Sequence, residues 1–80
     1  MTPAELFHRA GVALFGDEYV APLAKALGIE RSTVLKMRNG VSRITPGVWR
    51  DLLAHMSLAR SRIEATEQAI RDALGVALYD

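Results

Sequence analysis

Eighty residues give room for one small core and no second one. The absence of cysteine excludes disulfides and thiolate metal sites as sources of stability, and a net charge of +1 favours no partner by total charge alone. Half the residues are apolar, only 6% are aromatic and alanine is abundant, so the expected fold is all-α, with close-packed helices.

The first helix is announced by Thr2 as a cap, Pro3 at the first helical position and Glu5 three residues after the cap. Leu6, Phe7, Ala10, Ala13 and Leu14 form its apolar stripe, and Gly16-Asp17 ends it near Phe15. His8 reads as an ordinary boundary histidine. A second helix runs from after Asp17 to Leu27, with Pro22 in the first turn, where a missing N–H is tolerated. For Tyr19 two roles stay open: packing as a staple, or a hydroxyl that reaches a phosphate.

Leu23, Ala24 and Leu27 give that helix an apolar face, and Gly28 breaks the pattern. Ile29, Val34 and Met37 then supply a second face on a third helix, from about Glu30 to Asn39, which stops at Gly40. Ala24 is small enough for the two helices to cross closely, and Gly28 can take the positive φ of a tight turn. The outward side of the third helix keeps Arg31, Ser32, Leu35, Lys36 and Asn39. Val41 to Ile44 is a loop.

Thr45-Pro46 opens the last helix with a cap and a first-position proline. Trp49, Leu52, Met56, Ala59, Ile63, Thr66, Ile70, Ala73 and Ala77 then recur at alternating spacings of three and four, with Leu53 and Leu74 thickening the stripe. This period predicts one long helix of roughly 48 Å over residues 46–77; the alternative is a break near Ser57, the only good cap in mid-run. A core of this size spans about half that length. The part beyond about Met56 must therefore fold back on helix 1 or find another chain. A second chain is the favoured expectation, which divides the molecule into residues 1–56 and a C-terminal dimerisation segment, residues 57–80.

Charge is unevenly spread. Residues 1–29 carry a net −1, residues 30–50 a net +4 from Arg31, Lys36, Arg38, Arg43 and Arg50 against Glu30, and residues 51–80 a net −2. A local cationic surface of this kind suits phosphate. No constellation for catalysis is legible: His8 and His55 lack metal-ligand spacing, the serines lack a nucleophile elbow, and there is no glycine-rich phosphate loop. The chain is expected not to be an enzyme, and to need no cofactor and no small-molecule ligand. The opening MTPAELFHRAGVALF has no basic leader, and no run approaches the ~20 apolar residues of a membrane span, so a cytoplasmic protein is expected.

The fragment LAKALGIERSTVLKMRNG, with Ala24, Gly28, Val34 and Met37 at their offsets, resembles the helix-turn-helix of phage repressor and Cro-type proteins; the likeness covers roughly residues 18 to 53. One departure is Glu30, at the turn position usually held by Ser or Thr. Glutamate is a poor N-cap, and its charge repels a nearby phosphate. The resemblance implies four or five helices around a repressor-like helix-turn-helix. It also implies a regulator of the phage or mobile-element type that binds a palindromic operator in double-stranded DNA as a homodimer. Base reading falls to Arg31, Ser32 and Lys36, with Thr33 able to meet a thymine methyl. Arg38, Asn39, Ser42 and Arg43 are assigned to phosphates, and Ala59, Ile63, Thr66, Ile70, Ala73 and Leu74 to the dimer interface. The competing reading is a protein-interaction module, an adaptor, antitoxin-like protein or phage inhibitor that keeps the scaffold without binding DNA. Glu30, Leu35 and the near-neutral total charge support it.

Overall fold

A computed structural model describes the backbone of residues 1–79 and the side chains of residues 1–75. The described chain is all-helical: α1 (Pro3–Phe15), α2 (Val20–Leu27), α3 (Arg31–Arg38) and α4 (Pro46–Tyr79). The first three helices and the first third of α4 enclose the core, and the rest of α4 projects away from it. The longest dimension is 57 Å against 25 and 22 Å for the others. No break occurs at Ser57, so the count is four helices.

The helix boundaries follow local chemistry. The Thr2 hydroxyl accepts from the Glu5 amide at 3.1 Å, and Gly16 closes α1. At the end of α2, Gly28 sits at φ +67°, its amide donating to the Lys25 carbonyl and that of Ile29 to the Ala24 carbonyl. Gly40, at φ +76°, repeats the arrangement after α3, with Gly40 donating to Met37 and Val41 to Lys36. Both are Schellman closures, which satisfy otherwise orphaned carbonyls and need a residue tolerant of the left-handed region. Thr45 caps α4 by accepting from the Val48 amide at 3.3 Å.

The core consists of Phe7, Ala10, Tyr19, Leu23, Ala24, Val34, Met37, Ile44 and Leu52, flanked by half-buried Leu27, Ile29, Trp49 and Met56. Ala24, Val34 and Met37 hold the places expected for them. The inward face of α1 is different from the expected stripe. Phe7, Ala10 and Gly11 are its buried residues, while Leu6 is 47% exposed and Ala13 is also exposed. The cause is Gly11, which carries no side chain and so leaves a recess that the Tyr19 ring fills. That contact rotates the buried face away from Leu6 and Ala13.

His55 ties α4 to α2. A carbonyl can only accept, so its Nε2–H donates to the Ala26 carbonyl at 3.1 Å, satisfying another free carbonyl in the last turn of α2. Beyond this point α4 leaves the core. From Arg60 to Leu74 every residue is exposed. Its polar side chains bond along their own helix: Thr66 to the Arg62 carbonyl, Gln68 to Asp72, and Arg71 to Glu67 at 3.0 Å. Ala77, the last position of the stripe, lies outside the described side chains.

Candidate nucleic-acid interface

Three residues, Gly28 to Glu30, separate α2 from α3, and the carbonyl of Glu30 starts α3 by accepting from the amides of Thr33 and Val34. The Glu30 side chain makes no cap to the helix; its carboxylate accepts the Ser32 hydroxyl at 3.4 Å instead. The unusual residue at this turn is thus accommodated through its backbone, and its charge stays exposed at the start of the helix.

Val34 and Met37 turn inward and fix α3 about its axis. At 3.6 residues per turn, Ser32 and Asn39 then lie opposite them, with Lys36 on one side of that line and Leu35 on the other. Arg31, Ser32, Lys36 and Asn39 are exposed, whereas Thr33 and Leu35 are half-buried. The outward surface therefore offers a hydroxyl, an ammonium and a carboxamide, with the Arg31 guanidinium at its N-terminal flank. Asn39, assigned to phosphate from sequence, shares the face of Ser32 and Lys36. Lys36 and Arg38 also occupy the last turn of α3, where positive charge suits the helix dipole.

In the following loop Ile44 is buried and anchors the segment, leaving Arg43 exposed and Ser42 half-buried. The Schellman closure at Gly40 bends the chain here, and the Val41 and Ser42 amides both donate to the Lys36 carbonyl. Arg43 thus stands beside the exposed end of α3 on a short, fixed connection.

Of the two roles left open for Tyr19, the structure shows packing: the residue is wholly buried, so its hydroxyl faces the protein and not a phosphate. Its ring is fully buried, and its hydroxyl lies 2.8 Å from His8 Nδ1 with the Arg38 guanidinium alongside. The hydroxyl and the imidazole share one hydrogen bond, whose direction follows the tautomer of His8. Arg38 is half-buried, in contrast to the exposed Arg43. Nothing periodic in the sequence announces this link between α1, the start of α2 and the end of α3; a tyrosine eleven residues after a histidine, across a glycine turn, has no signature.

Burial pushes the Tyr19 phenol above its ordinary value of 10.0, and the nearby Arg38 charge partly opposes the shift. A folded-state pKa above the unfolded one means that the neutral phenol stabilises the fold. That contribution is whole below about pH 10 and is lost as pH rises through the folded value. In urea titrations across this range the native chain is expected to lose stability more steeply than Tyr19→Phe. Equal slopes would mean that the hydroxyl is free to ionise in the folded state.

Among the described residues no three His, Asp or Glu side chains gather as a metal site, and no helix is long and apolar enough to cross a membrane. Comparison of the chain with family models, curated proteins and solved structures finds no match.

Proposed function

We propose that the chain is a sequence-specific double-stranded DNA-binding transcriptional regulator, a cytoplasmic repressor of the phage or mobile-element type. It acts as a homodimer on a palindromic operator. One observation carries this reading: α3 is pinned by Val34 and Met37, and it presents Arg31, Ser32 and Lys36 to solvent on a locally cationic segment. A helix of this kind fits the major groove, where an arginine or lysine meets guanine O6 and N7. Thr33, half-buried, offers its methyl at the margin. Arg43, Arg38, Asn39 and Ser42 bind phosphates, which orient the helix without reading sequence. Two half-sites a whole number of turns apart give a dimer the address that one short helix lacks.

Duplex binding followed by fluorescence anisotropy tests the reading. Arg43→Ala should weaken binding to all sequences alike and flatten the slope of log K against log salt by roughly 0.9. Lys36→Ala should cost about 1–3 kcal/mol at the cognate site and much less on random DNA. The exposed carboxylate of Glu30 favours the second reading, a protein-interaction module on the same scaffold. Absence of any steeply salt-dependent duplex binding would decide for that module.

A further inference from the structure

Two exposed leucines of α4, Leu53 and Leu74, stand symmetrically about a point beside Ile63. Leu53, Arg60, Glu67 and Leu74 follow one another at intervals of seven, so they share one edge of the helix. Leu53 and Leu74 lie equally far on either side of the midpoint between Ile63 and Glu64, and so do Arg60 and Glu67. Turning a second α4 end for end about that midpoint sets leucine against leucine and arginine against glutamate, twice each. An edge that is complementary to itself when reversed is what a two-fold contact requires.

The surroundings of that edge point the same way. Leu53 is 66% exposed and forms one wall of an open apolar groove with Leu6, Ala10, Trp49, Leu52 and Met56. The groove continues past the end of α1 along Ala13, Leu14 and Ile63 towards Glu67. The projecting half of α4 has Ile63, Ile70 and Leu74 more than half exposed. Arg71 holds Glu67 on the same helix, so the carboxylate is already oriented there.

We infer that the second copy docks antiparallel, laying the projecting half of its α4 in the groove between α1 and α4. Ile70 and Ala73 of the partner subunit cover Met56 and Ala59. Leu74 of the partner subunit reaches Leu53 and Leu6, and Arg60 pairs with Glu67 of the partner subunit. A parallel pair in register would set each residue of this edge against its own counterpart, and so like charge against like charge at Arg60 and Glu67. This register rests on the homodimer proposed above and deepens it.

The chain has no cysteine, so engineered disulfides report the register directly. The double variant Leu53→Cys/Leu74→Cys is expected to cross-link into a covalent dimer on mild oxidation, while Leu53→Cys or Leu74→Cys alone links poorly. Efficient linking by Leu74→Cys alone would overturn the antiparallel register while leaving the dimer intact. A monomer by light scattering at tens of micromolar would remove the dimer itself. As a separate readout, Arg60→Glu should weaken self-association about tenfold, and Arg60→Glu/Glu67→Arg should restore it. Failure of the double reversal to restore association overturns the Arg60–Glu67 pairing.

Discussion

Gly11→Ala is expected to lower stability by about 2 kcal/mol, roughly 10 °C in Tm for a chain of this size. Helix propensity alone gives the opposite sign, since Ala in a helix interior gains about 1 kcal/mol over Gly. Here sterics win. A Cβ at position 11 would stand 2.6 Å from Tyr19 Cγ, well inside contact distance. The ring has nowhere to retreat: it is fully buried, and its hydroxyl is hydrogen-bonded to His8. Thermal denaturation by circular dichroism measures the loss. In Gly11→Ala/Tyr19→Leu the loss should be smaller than the sum of the two single changes, because the clash and the new space cancel. A Gly11→Ala protein as stable as the native one would mean that the ring moves freely.

Ile63→Asp is expected to abolish the dimer while leaving the α1–α3 core folded. The side chain is 60% exposed in the single chain, so a carboxylate there costs the monomer little. At the centre of a two-fold seam it is buried twice and unpaired, at a cost of about 4 kcal/mol, roughly a thousandfold in association. Light scattering should report a monomer, and operator affinity should collapse while weak nonspecific binding remains. Ile70→Asp should act in the same direction. Trp49 fluorescence checks that the core survives. If both variants remain dimeric with full operator affinity, the exposed stripe has no part in assembly.

The turns and caps were the legible part of this fold. Thr2, Gly16, Gly28, Gly40 and Thr45-Pro46 act locally, through backbone geometry that each residue type carries with it. The two faces of α3 were equally readable, because Val34 and Met37 are three apart in a short helix with few other apolar groups. The unbroken α4 followed from its spacing of three and four. Features that depend on an absence or on a distant partner were not readable. Gly11 gives no apolar signal, so the α1 stripe was placed too near Leu6 and Ala13. The His8–Tyr19–Arg38 contact and the His55 bond to Ala26 join residues far apart in sequence, and neither leaves a periodic trace. For the site, composition gave the exposed cations but not their posture. It could not distinguish Arg38, packed beside a phenol, from Arg43, which is exposed.

The bare half of α4 has a consequence for how this molecule holds together. The exposed stretch from Arg60 to Leu74 is close to the length at which an isolated helix is only marginally stable in water. Its amides should therefore exchange with solvent through local fraying, far faster than those of the core helices, whenever the chain is alone. A docked partner removes that freedom, so protection of residues 62–74 should rise with protein concentration while protection of α1–α3 stays constant. In the proposed homodimer, order in the tail is a property of the population, and dilution alone should melt it.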